Sequence, residues 1–139
     1  MKEVRIGLIG TGFMGKAHAT AYQNVPSVFG TEPAVPVLTM LADIDAATIE
    51  RNAKAFGIPR WTTDWRELVN DPNVDVVDIT TPNHLHAEMA IAAAKAGKHV
   101  YCEKPLALTG AEAKAIVDAV EAAGVISLVG FNYLKNPIQ

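Results

Sequence analysis

Three glycines fall at positions 10, 12 and 15 of the hexapeptide Gly10-Thr11-Gly12-Phe13-Met14-Gly15, directly after an apolar run over residues 4–9 and before a helix-compatible stretch. Residues of this type, so spaced, can bind a pyrophosphate. Gly10 lets a buried strand turn sharply, Gly12 lets the backbone approach the phosphates without an intervening Cβ, and Gly15 lets the following helix pack closely on the strand. The unpaired N–H groups of the first helical turn then face the phosphate oxygens, aided by the positive end of the helix dipole. Thr11, Phe13 and Met14 ride on the same turn, so the whole hexapeptide is a candidate dinucleotide-binding segment.

A carboxylate is needed next, at the end of a second strand, to accept hydrogen bonds from ribose hydroxyls. Asp43 stands there, and its charge would repel a 2′-phosphate, which favours NAD over NADP. Asp45 is read as a helix cap instead. Arg51 and Arg60 are the later residues that could accept a 2′-phosphate.

Two further strand ends carry polar groups. Thr80-Thr81-Pro82-Asn83 closes a fourth strand, Pro82 having no N–H to continue a ladder. The two threonine hydroxyls and the Asn83 amide are placed for the nicotinamide half of the cofactor, and Asn83 can also cap the next helix. His84 and His86 lie in that first turn. There a histidine reads first as a surface or packing residue, with ligand contact the alternative, and His86 is kept among the cofactor candidates.

The fifth strand ends in Glu103-Lys104-Pro105. Proline disfavours helical geometry at the preceding residue, so Lys104 is expected extended and pointing to the crevice. Its ammonium could hydrogen-bond a substrate oxygen and stabilise alkoxide charge during hydride transfer. Glu103 could bind the nicotinamide ribose or pair with a lysine. Lys16 and His18 read as solvated or packing residues, with Lys16 close enough to help at the pyrophosphate, and Trp61 and Trp65 as packing.

The elements that must position these groups alternate. Helices are expected over residues 13–25, 45–56, 64–70, 83–97 and 109–124, and strands over 4–9, 37–42, 60–62, 74–79, 99–102 and 125–131. The proline-rich stretch 26–36 is expected to be a loop. Asp45 and Gly57 bracket the second helix, Asp64 with Glu67 and Thr109 with Glu112 have capping-box spacing, and Gly124 stops the last helix. The whole implies an α/β fold with a doubly wound, mostly parallel six-stranded sheet of order 3-2-1-4-5-6, the Rossmann fold.

Bulk properties agree with a globular chain of 139 residues, half of them apolar. A net charge of −3 gives no footprint for nucleic acid. Cys102 is the sole cysteine and no Cys/His spacing suggests zinc, so no metal is expected. Without a secretory signal or a membrane-length apolar run, a cytoplasmic location is expected.

With these residues assembled, the chain resembles the glucose-fructose oxidoreductase and inositol dehydrogenase (Gfo/Idh/MocA) family of nicotinamide-dependent sugar and polyol oxidoreductases. The resemblance rests on the ordered set Gly10 to Gly15, Ala42-Asp43-Ile44-Asp45, Thr81-Pro82-Asn83 with His86, Gly97 through Pro105, and Gly130-Phe131-Asn132-Tyr133. It implies a dinucleotide-binding domain over residues 1–131, with residues 132–139 starting the connection to a second α/β domain. That domain would hold most substrate contacts, an aspartate and histidine for proton transfer, and the surfaces for homo-oligomerisation. By the same resemblance Lys104 is an active-site residue, Asp43 selects NAD, and the 139 residues alone are catalytically incomplete. Leu134 departs from the pattern, since many relatives carry arginine there. A non-catalytic NAD-binding sensor and an NAD-assisted glycoside-cleaving enzyme are the alternative functions.

Overall fold

Alternating side chains along the central strands divide the core between the two faces of one sheet. The structure, a computed structural model, describes residues 2–135 and Pro137. Its first half runs β1 (Glu3–Ile9), α1 (Phe13–Phe29), β2 (Val35–Ala42), α2 (Ala46–Phe56), β3 (Trp61–Thr62) and α3 (Trp65–Val69). The second half runs β4 (Val76–Ile79), a 3-10 turn (Asn83–Leu85), α4 (His86–Lys95), β5 (His99–Glu103), α5 (Gly110–Ala123), β6 (Ser127–Gly130) and a 3-10 turn (Asn132–Lys135).

The strands are parallel and ordered β3-β2-β1-β4-β5-β6, as expected. On one face Leu8 and Leu41 meet Ala19 of α1 and Ile49 and Ala53 of α2. On the other, Ile9, Val77, Ile79 and Val100 meet α3, α4 and α5, whose Ala90, Ala93 and Ala94 allow close approach. Each fully buried leucine or isoleucine stabilises by about 2 kcal/mol. Chain order reverses between β1 and β4, which leaves a crevice at their carboxyl ends.

Local signals hold at most termini. The Asp45 carboxylate accepts the Thr48 N–H at 2.7 Å and Gly57 ends α2 in left-handed geometry, while Thr109 and Glu112 form a reciprocal capping box on α5. Four expectations are corrected. The first helix does not stop before Pro26 but continues to Phe29, the lost donor falling in its last turn, where Gly30 N–H closes on Pro26 O at 3.1 Å. Pro36 lies inside β2 rather than in a loop, because β3 pairs only with Leu41 and Ala42 and leaves that flank of β2 open. Asp64 caps α3 through Arg66 N–H at 3.0 Å, and Glu67 is drawn away to the Thr62 hydroxyl at 2.6 Å, so no capping box forms there. Asn83 caps no helix: it begins the 3-10 turn, and α4 starts at His86 without a side-chain cap.

Of the expected connection over 132–139, residues 136, 138 and 139 lie outside the described residues. Among the described residues no helix is long and apolar enough to cross a membrane.

Candidate functional site

β1 delivers the chain to Gly10, which turns with φ of 93° and donates its N–H to Ala42 O at 2.8 Å. A side chain is disfavoured at that φ. The Thr80 hydroxyl reaches across from the end of β4 to the carbonyls of Ile9 (3.1 Å) and Gly10 (2.9 Å), fastening the turn to the neighbouring strand. A Cβ on Gly15 would stand 2.0 Å from Gly10 O, so the tight contact of helix and strand excludes any larger residue. Gly12 differs: a Cβ there would meet nothing within 4 Å. The fold leaves that space open over the start of α1, where no side chain caps the helix and no acidic residue stands in the first turn.

Asp43 is half-buried and held in place. Its Oδ2 accepts the Thr11 N–H at 2.7 Å and the Thr11 hydroxyl at 2.6 Å, and its Oδ1 accepts the Ile44 N–H at 2.7 Å. A carboxylate has about four acceptor positions, so capacity remains for a ligand hydroxyl. Beside it Ile44 is 90% exposed.

These groups line one cleft of about 570 Å3 together with Thr80, Thr81 and Pro82. Of the sequence candidates, Gly10, Thr11, Gly12, Phe13, Met14, Asp43, Thr80, Thr81 and Pro82 meet there. His84, for which ligand contact was the alternative, also lines it, as do Ile44, Thr63, Trp65, Leu85 and Met89, which were not singled out as cofactor contacts. An isoleucine directly after the strand-end aspartate, outside the expected strand, was the available signal for Ile44. Trp65, expected only to pack, lines the cleft while the Arg66 guanidinium stacks on its ring at 4.4 Å. Gly15, buried, and Asn83, exposed, are not among the residues that line it.

Among the cofactor candidates, His86 faces inward. It is fully buried, with Nδ1 2.8 Å from the Pro105 carbonyl and Nε2 2.9 Å from the Thr81 carbonyl. The Thr80 hydroxyl is likewise turned inward to the glycine turn rather than presented to a ligand. By bridging these carbonyls, the imidazole links the loop after β4 to the loop after β5.

Glu103 also faces inward. Its side chain is buried and, among the described residues, pairs with no lysine ammonium: Oε1 faces His18 Nε2 at 3.0 Å and Oε2 accepts the Lys104 main-chain N–H at 3.0 Å. His18, read as a solvated or packing residue, has its other nitrogen 2.8 Å from Oδ2 of fully buried Asp78, which also accepts the Tyr22 hydroxyl at 2.8 Å. Burial alone would lower the His18 pKa, but hydrogen bonds and charge from Asp78 and Glu103 outweigh it and raise the pKa. Burial raises the Asp78 carboxyl and lifts the Cys102 thiol to about 12, which removes Cys102 as a nucleophile.

Lys104 is exposed just past β5. It lines a hollow of about 370 Å3 with Phe131, Asn132, Tyr133 and Leu134.

The arrangement fits a dinucleotide. The open space over Gly12, the uncapped first turn of α1 and a fixed carboxylate at the end of β2 lie in one cleft.

Known proteins agree. A levoglucosan dehydrogenase of Pseudarthrobacter phenanthrenivorans is 51% identical over 137 residues, 99% of this chain and 35% of the relative. An NAD binding oxidoreductase from Klebsiella pneumoniae superposes with a TM-score of 0.93 at 54% identity, over 97% of this chain and 36% of the other. A levoglucosan dehydrogenase complex with NADH and levoglucosan gives 0.91 at 52% identity, over 95% and 36%. The chain thus spans little more than a third of the length of these proteins. The family model described as "Oxidoreductase family, NAD-binding Rossmann fold" matches residues 4–131. The glycine turn, the strand-end aspartate and the six-strand order therefore belong to an NAD-binding Rossmann domain, and the chain is a member of the Gfo/Idh/MocA oxidoreductase family.

Proposed function

We propose that this chain is the cofactor-holding part of an NAD-dependent dehydrogenase that oxidises a secondary alcohol of a sugar or polyol, with Lys104 polarising the reacting oxygen. One juxtaposition carries the reading. His86 ties Thr81, on the wall of the cofactor cleft, to Pro105, and this link supports the reading that Lys104, the residue before Pro105, acts on a substrate bound against that cleft. The levoglucosan dehydrogenase solved with NADH and levoglucosan supports the substrate class.

In this reading the first-turn N–H groups of α1 and the open backbone at Gly12 hold the pyrophosphate. Asp43 accepts the adenosine ribose hydroxyls, and Ile44 offers apolar surface beside them. When bound, NAD supplies the hydride acceptor. The Lys104 ammonium donates to the substrate oxygen and stabilises negative charge as it develops there. Closure over the substrate, proton transfer and oligomer contacts are assigned to residues outside this chain.

The test is NADH formation by the full-length gene product on a panel including levoglucosan and myo-inositol, with Lys104→Met in parallel. Net NADH that falls by about a hundredfold in Lys104→Met, with NADH affinity retained, is the expected result. Tight NAD binding with no turnover across the panel, or sugar release without net NADH, overturns it.

A further inference from the structure

Four elements converge on one carboxylate next to the active-site lysine. α1 contributes His18, β4 contributes Asp78, and β5 contributes Glu103 itself and Tyr101, whose ring stacks on His18 with centroids 5.3 Å apart. β6 contributes an empty place: a Cβ on Gly130 would stand 2.8 Å from Glu103 Oε1. Both polar nitrogens of His18 are engaged by carboxylates, and only 11% of its side chain is exposed. The ring therefore acts on its surroundings through Asp78 and Glu103, not by touching a ligand.

We propose that His18 is a positioning residue for Lys104, holding the Glu103 carboxylate whose second oxygen in turn holds the Lys104 main-chain N–H.

The proposal rests on the reading of Lys104 given above. Stability alone is a poor reason for the cluster, because burying two carboxylates and an imidazole is often no better than packing apolar side chains in the same volume. Asp78 makes this sharper, since its Oδ1 is buried without a hydrogen-bond partner among the described residues. What the cluster supplies is a fixed direction for the chain as it leaves β5. His18 sits on the helix that begins at the glycine turn, so the same rigid element carries the pyrophosphate site at its first turn and the Glu103 clamp at its second. Lys104 is thereby set in register with the bound cofactor.

The test is a double-mutant cycle in the full-length gene product, using the panel alcohol with the highest kcat/KM. His18→Ala is expected to lower kcat about tenfold with KM and NADH affinity within about twofold, and to cost under about twofold when Lys104 is already methionine. Equal losses in both backgrounds, or an unchanged kcat, overturn the proposal. Glu103→Leu gives a second cycle should His18→Ala not fold, since an alkyl side chain can hold neither the imidazole nor the Lys104 N–H. The same non-additivity is expected, and its absence overturns the proposal. Wild-type kcat in Lys104→Met instead overturns the reading of the lysine, and the positioning role falls with it.

Discussion

Thr11 grips Asp43 from two directions, its N–H at 2.7 Å and its hydroxyl at 2.6 Å converging on a single carboxylate oxygen. The carboxylate proposed to select the ribose is thus held by the glycine turn itself.

Asp43→Ser should for this reason change both affinity and preference. Hydrogen bonds to a charged group contribute about 1.5–3 kcal/mol, so NADH affinity should fall about tenfold or more. NADPH, no longer repelled, should fall less. Fluorescence titration with both cofactors measures the ratio, and an unchanged ratio would remove Asp43 as the selector.

The glycines of the turn separate fold from ligand. Gly15→Ala drives a methyl into Gly10 O, so it should destabilise by about 1–3 kcal/mol in urea unfolding. Gly12→Ala meets nothing in the protein and should cost less than about 1 kcal/mol of stability, yet weaken NADH binding about tenfold or more. If Gly12→Ala binds normally, the pyrophosphate does not pass over it.

Much of this was legible because its causes are local. Asp45 with Gly57, and Thr109 with Glu112, cap their helices through groups within a few residues, and the glycine turn needs only its flanking strand and helix. The misreadings arose where distant partners decide. His18 meets Asp78 and Glu103 at separations of 60 and 85 residues, and nothing within its own helix announces them. Pro36 is tolerated in a strand only because of where β3 begins, and Glu67 leaves its cap for a hydroxyl brought close by a turn. His86 was placed at the right end of the right strand, but only the β5 loop shows that its ring faces inward.

His86→Phe keeps an aromatic ring and removes its polar contacts to both carbonyls. One ring N–H serves one of the two carbonyls, of Thr81 or Pro105, and that buried acceptor loses its donor, which predicts a loss of about 1–3 kcal/mol on urea unfolding. Since Thr81 lines the cleft, NADH affinity should weaken in the same variant. A stability change under about 0.5 kcal/mol would show that the two loops hold together without the tie.

The His18 cluster sets the pH dependence of folding. Its pKa is raised above the ordinary 6.5 because the hydrogen bonds and charges of Asp78 and Glu103 outweigh burial. The folded chain then holds the imidazolium proton more tightly than the unfolded chain. The resulting stability is complete below about 6.5 and is lost as pH rises through the higher folded value. Asp78, raised by burial, acts in the same direction from a lower starting point, its contribution falling as pH climbs above the ordinary carboxylate range. Tyr22 and Tyr101, the other titratable groups facing the ring, are both raised and stay neutral near pH 7. Urea midpoints should therefore fall as pH rises above about 6.5 in the native sequence. In His18→Gln that slope should flatten, because an amide has no proton to lose. An equal slope in both proteins would place the titration elsewhere and leave the ring neutral between its two carboxylates.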